Sequence, residues 1–146
     1  MSQARVFVSF DIEHDRELYE RLLVQAGRSG FFVSGRSEPL AATDLSNEQV
    51  RRRIREADEV IVICGEYTDA SQGVSAEVRI AQEEKTPYFM LWGRRESLCT
   101  KPTGAKSAEG MYRWTPEILQ DQVAFALRRA RALPTPAPAV EAARPF

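Results

Sequence analysis

Residues 5–34 read RVFVSFDIEHDRELYERLLVQAGRSGFFVS, and the alternation inside this stretch decides the fold. RVFVSF is a near-continuous apolar run of strand length, the pattern of a parallel strand covered on both faces. After it, Leu18, Leu22, Leu23 and Ala26 recur on one helical stripe, and Gly27 or Gly30 is available to end the helix. FFVS then opens a second strand. A strand, a helix and a strand in so short a span form a βαβ unit, which joins parallel strands.

The alternation continues outward. VIVIC at 60–64 and YFMLW at 88–92 are further buried-strand runs. Strands are expected at 5–10, 31–34, 59–64, 88–92 and 111–114, and helices at 15–28, 46–57, 74–84 and 116–133. Ser46-Asn-Glu-Gln49 reads as a capping box opening the second helix. The inner face of that helix is Val50, Ile54 and Ala57, which leaves Arg51, Arg52, Arg53 and Arg55 to a solvated face. Thr115-Pro116 reads as an N-cap followed by proline at the first helical position, with Leu119, Val123, Ala126, Leu127 and Ala130 inward. The expected architecture is a three-layer α/β sandwich of flavodoxin-like, doubly wound type, with a central parallel sheet of about five strands.

A chain of 146 residues, 43% of them apolar, fits one domain and needs no disulfide or structural metal to hold its core. Half of the 8 prolines fall in residues 134–146, so a domain at 1–133 followed by a disordered Pro/Ala-rich tail is expected. Twenty Lys plus Arg against 21 Asp plus Glu give no basic stripe that would favour nucleic acid. With one histidine, His14, and two cysteines, Cys64 and Cys99, outside any CxxC, a zinc site or a Ser-His-Asp machine is not expected. Neither a signal peptide nor a membrane-length apolar run is evident, which points to the cytoplasm and reduced thiols.

Doubly wound sheets bind ligands outside the carboxyl ends of their strands. Those ends lead into Asp11-Ile-Glu-His-Asp15, Gly35-Arg-Ser-Glu38, Gly65-Glu-Tyr-Thr-Asp69 and Gly93-Arg-Arg-Glu96, four loops expected to line one cleft. Neither GxGxxG after the first strand nor a Walker lysine motif is present. Asp11, Glu13 and Asp15 could mimic the acidic pocket of response-regulator receivers, yet the third strand runs into Gly65-Glu66 rather than a phosphorylatable aspartate.

Several segments in order resemble the TIR-like domains, in particular the short TIR proteins of bacterial Thoeris antiviral defence. RVFVSFD is similar to that family's first-strand box, here Ser9-Phe10-Asp11, and FFVSGRSEPL to its second strand and loop, here Arg36-Ser37. RRRIREADEVIVICGEYTDAS resembles the family's Arg-rich helix, apolar strand and polar loop. GVSAEVRIA lies where the family carries its catalytic glutamate, and MYRWTPEILQDQVAFAL resembles its last strand and helix. The resemblance covers about residues 4–131.

What the resemblance implies is an enzyme that cleaves NAD at the nicotinamide–ribose bond, with Glu77 catalytic and Ser9, Phe10, Asp11, Arg36, Ser37 and Tyr67 binding the substrate. It implies no cofactor beyond NAD as substrate, a cyclic ADP-ribose signal or linear ADP-ribose as product, a separate effector protein activated by that product, and possible homo-oligomers. Val74, Ser75 and Ala76 stand where the family commonly has aromatic residues, which leaves the product type open. Two other readings stay open: a non-catalytic TIR-like interaction module, and an enzyme like the nucleoside deoxyribosyltransferases with Glu77 as a covalent nucleophile. By spacing alone Glu77 is an exposed helix carboxylate, Asp11 a cap of the first helix, Tyr67 a loop-packing residue, His14 a helix-start residue and Cys64 a small buried hydrophobe. Deleting residues 134–146 should leave the melting temperature nearly unchanged, since the segment has no apolar face; a loss of several degrees in a thermal melt would show that it docks.

Overall fold

A computed structural model describes residues 3–38 and 44–132. The expected tail at 134–146 lies outside the described residues. Five strands, β1 (Ala4–Ser9), β2 (Phe31–Arg36), β3 (Glu59–Cys64), β4 (Tyr88–Trp92) and β5 (Met111–Arg113), form one sheet in the order β2-β1-β3-β4-β5. Every pairing is parallel. Three helices connect the first four strands, α1 (Arg16–Ala26), α2 (Asp44–Glu56) and α3 (Gln72–Glu84); a loop joins β4 to β5, and α4 (Pro116–Ala132) follows β5. This is the flavodoxin-like arrangement.

The continuous apolar strands have a direct cause. Along β3, Ile61 and Ile63 face the core beneath α1 and α4, built with Leu18, Leu22, Leu119 and Val123. Val60, Val62 and Cys64 face the opposite core beneath α2 and α3, with Ile54, Val74 and Val78. Burial on both faces removes the polar alternation that a half-exposed strand would show. The Cys64 thiol is pushed up by that burial, and both cysteines are free.

Local signals are met closely. Thr115 caps α4, its Oγ1 accepting from the Ile118 amide at 3.1 Å, and Pro116 opens the helix. The α1 turn is closed by Gly30, at φ +87°, just before β2. Two expectations shift. α2 starts at Asp44, so Ser46 lies inside it rather than at its N-cap. The arginine face of α2 is not simply solvated, because Arg51 reaches Glu83 and Glu84 of α3 at 2.8 and 2.9 Å and Arg55 reaches Glu84 at 2.9 Å.

The β1–β2 register slips between Val6 and Phe7, where Val33 pairs with Val6 but Gly35 pairs with Phe7. This bulge extends β2 through Arg36, and the Ser37 amide then donates to the Val8 carbonyl at 2.9 Å. Ser37 is thereby laid against the end of β1. At the amino end of β3 stands Glu59, only 3% exposed, with Oε1 buried and unpartnered among the described residues. Burial, with Asp58 adjacent, pushes its carboxyl from 4.5 up to about 9. A raised native value means that stability is fully present below about pH 4.5 and is lost as pH rises through about 9. Glu59→Gln should flatten this decline and raise stability near pH 8 by roughly 2 kcal/mol or more, read from urea unfolding at several pH values.

Candidate active site

In the strand order β2-β1-β3 the switch point lies between β1 and β3: the chain leaves β1 toward β2 on one side and leaves β3 away from them on the other. The loops that come after these three strands diverge there, and between them opens a cleft of about 610 Å³. Phe10, Asp11, Glu13 and His14 line it after β1, Ser37 and Glu38 after β2, Tyr67 and Ser71 between β3 and α3, and Gln72 and Gly73 at the start of α3. The loop after β4 was expected in the same cleft. It opens instead onto a second one, because β4 pairs with β3 and β5 and its carboxyl end lies away from β1.

α3 carries Glu77 toward this cleft. Ser71 caps the helix, its Oγ accepting from the Val74 amide at 3.2 Å. Val74, Val78 and Ala81 pin one face of α3 to the core, and Glu77 falls on the buried side with 5% exposure. It is not the exposed helix carboxylate that spacing alone suggests. Its Oε1 accepts two hydroxyls, from Ser9 at 2.6 Å and from Ser37 at 2.5 Å. Ser37 Oγ also accepts the Phe10 amide at 3.0 Å. The end of β1, the end of β2 and α3 thus meet on one carboxyl oxygen, which sits one hydrogen bond behind the cleft wall formed by Ser37. Burial pushes this carboxyl from 4.5 up to about 7, with the hydroxyls of Ser37 and Ser9 opposing the rise.

Asp11 does not cap α1, whose N-cap position is Asp15. Its Oδ1 accepts the Glu13 amide at 3.1 Å and its Oδ2 takes His14 Nδ1–H at 2.8 Å. The bond to Asp11 raises the affinity of His14 for its proton. The His14 ring lies 4.3 Å from that of Tyr67, so the loops after β1 and β3 touch across the cleft mouth. Arg36 is the last residue of β2 rather than a loop residue, and it is not among the residues that line the cleft. Its guanidinium lies 5.4 Å over the Tyr19 ring, which stacks on Phe10 at 4.8 Å.

Sequence reasoning set Asp15 and Arg94 in loops at the strand ends but missed that they pair and brace this region. Asp15 is fully buried and takes Arg94 Nη2 at 2.8 Å and Nε at 3.2 Å, while Arg94 also donates to the His14 carbonyl at 2.7 Å and pairs with Glu17 at 2.9 Å. Residues so distant in the chain leave no local pattern. Gly65 is required beside this pair, since a Cβ there would stand 2.3 Å from Asp15 Oδ2. Among the described residues no group of three or more His, Cys, Asp or Glu side chains is placed to hold a metal ion, and no helix is long and apolar enough to cross a membrane.

The sequence pattern of the family described as Thoeris protein ThsB, TIR-like domain, matches residues 7–95, a span that holds Ser9, Ser37, Glu77 and the cleft loops. No protein of curated function matches the chain in sequence. A diflavin flavoprotein A3 from Nostoc sp. is similar in structure at a TM-score of 0.52 and 13% identity, over 91% of this chain and 100% of that one, which shows the shared fold alone. A 3-dehydroquinate dehydratase-like protein from Bifidobacterium longum is similar at a TM-score of 0.41 and 18% identity, over 88% of this chain and 99% of that one.

The burial of Glu77 has a measurable consequence. Its native value near 7 lies above the ordinary 4.5, so stability is complete below about pH 4.5 and falls as pH rises through about 7. Glu77→Gln accepts the same two hydroxyl bonds without ever ionising. It should be more stable than wild type at about pH 8, by roughly 3 kcal/mol, with a much smaller difference at about pH 4. Urea unfolding at the two pH values reads this; a wild type whose stability is flat across that range would contradict it.

Proposed function

This chain belongs to the Thoeris ThsB TIR-like domain family, and from that premise we propose that it cleaves NAD at the nicotinamide–ribose bond as part of antiviral defence. The observation that carries the reading is the Glu77 carboxyl, buried behind a cleft at the switch point and holding two hydroxyls on one oxygen. The reaction asks little of a protein. The bond between ribose C1′ and the nicotinamide nitrogen breaks, its electron pair leaves with nicotinamide as a neutral base, and positive charge develops at C1′ and the ring oxygen. A carboxylate close to that centre lowers the barrier by the electrostatic logic of glycosidases.

Ser9 and Ser37 present to Glu77 the pair of hydroxyl donors that a ribose diol would present. In the complex the substrate hydroxyls exchange with one or both of them, which orients C1′ over the carboxylate. Tyr67 offers ring surface to the nicotinamide or the adenine, Phe10 backs the cleft with its buried ring stacked on Tyr19, and Asp11 holds the loop after β1 through Glu13 and His14. Arg36 reaches a phosphate by leaving its position over Tyr19. Attack on C1′ by a nitrogen of the adenine gives a cyclic ADP-ribose signal, and attack by water gives ADP-ribose; the signal then acts on a separate effector protein.

Ionised Glu77 is the active form, so NAD turnover should rise with pH through about 7 and level off above it. Glu77→Gln should lower turnover about 10²-fold or more, while Glu83→Gln, on the exposed side of the same helix, keeps most of it. Chromatography of nicotinamide and the ADP-ribose products reads both, in purified protein and in infected cells. A Glu77→Gln protein as active as wild type would remove the assignment.

A further inference from the structure

The second cleft, about 860 Å³, lies over the carboxyl ends of β4 and β5 and shares no lining residue with the first. Its wall carries three arginines, Arg21 from α1, Arg95 after β4 and Arg113 at the end of β5, together with Trp92 and Trp114. No Asp or Glu lines it among the described residues, and none of the three arginines forms an ion pair with a described carboxylate. In a chain whose charges nearly balance, such a concentration of one sign is unusual. Arg94, beside Arg95, is by contrast fully engaged with Asp15 and Glu17.

Both indoles are fixed by their own N–H groups. Trp92 Nε1 donates to the Arg94 carbonyl at 2.9 Å and Trp114 Nε1 donates to Gln25 Oε1 at 2.7 Å. Arg21 lies 5.0 Å from the Trp114 ring centroid. The polar edges of the rings are therefore satisfied within the protein, and what they offer a ligand is flat apolar surface. Guanidinium forks suit phosphate oxygens, and indoles suit the face of a base. Three formal positive charges match the charge of a diphosphate ester, and the cleft volume is in the range that holds a small organic ligand.

We propose that this second cleft is a binding site for a nucleoside diphosphate, held at its phosphates by Arg95 and Arg113 with Arg21, and at its base by the indole surface of Trp92 or Trp114. The site stands on its own residues and does not depend on NAD cleavage at Glu77.

The chain contains two tryptophans, and both line this cleft, so tryptophan fluorescence excited near 295 nm reports on it directly. Titration of the full-length protein with ADP should give a saturable change in emission, with adenosine and inorganic pyrophosphate each binding about tenfold more weakly or worse. The double variant Arg95→Ala/Arg113→Ala, at exposed positions, should weaken ADP by about tenfold or more while its thermal melt stays in place. Glu77→Gln should bind ADP as wild type does, whatever becomes of NAD turnover. The proposal falls if ADP gives no saturable change up to millimolar concentration, or if the arginine variant binds as tightly as wild type. It falls equally if adenosine or pyrophosphate alone matches ADP, or if Glu77→Gln abolishes the response, which would place the nucleotide in the first cleft.

Discussion

β1 is hydrogen-bonded to β2 on one side and β3 on the other, and this double pairing governs where the cleft opens and which side chains reach it. The chain leaves β1 toward β2 and leaves β3 in the opposite direction toward β4, so the loops at the carboxyl ends of β1 and β3 part and a cleft opens between them. Helices α1 and α4 cover one face of the sheet and α2 and α3 the other, and the helical crossovers of a parallel sheet thereby bury both faces of its strands. The bulge in β2 then brings Ser37 alongside β1. From these constraints Ser9, Ser37 and the inward side of α3 converge on one point.

Three buried carboxyls show how differently a fold can treat the same group. Asp15 is answered by an arginine, and the pair locks the loop after β1 to the loop after β4. Glu77 is answered by two neutral hydroxyls, which hold its geometry but only partly oppose the effect of burial, leaving it near half-ionised around neutrality. Glu59 has no partner for Oε1 among the described residues and keeps its proton well above neutrality. Desolvation acts on all three, and the partner decides the outcome. A carboxyl poised near neutral pH beside a cleft is the arrangement that serves chemistry.

The order of the strands also explains why the two clefts differ in character. The first collects acids, hydroxyls and a His–Tyr contact from loops around the switch point, whereas the second collects arginines and indoles around the edge formed by β4 and β5. The segment after β4 divides its arginines, with Arg94 turned toward Asp15 to brace the loop after β1 and Arg95 lining the second cleft.

The sequence by itself determined the order of elements, their approximate bounds and the parallel sheet. It located β3 and β4 to the residue, and it marked the start of α4 through Thr115 and Pro116. Those features are local: an apolar run, a helical period or a capping hydroxyl acts over a few neighbouring residues. By resemblance the sequence also drew attention to Ser9, Ser37 and Glu77, yet spacing on α3 described Glu77 as an exposed carboxylate. Only the tertiary structure decided that it is buried, since its partners lie 68 and 40 residues away and arrive through strand pairing and a bulge. The same reason hid the Arg94–Asp15 brace, kept Arg36 out of the first cleft and gathered the arginines and tryptophans of the second. Burial and contact across a sheet depend on which distant strands become neighbours, and that information is carried by the assembled fold rather than by any short stretch of chain.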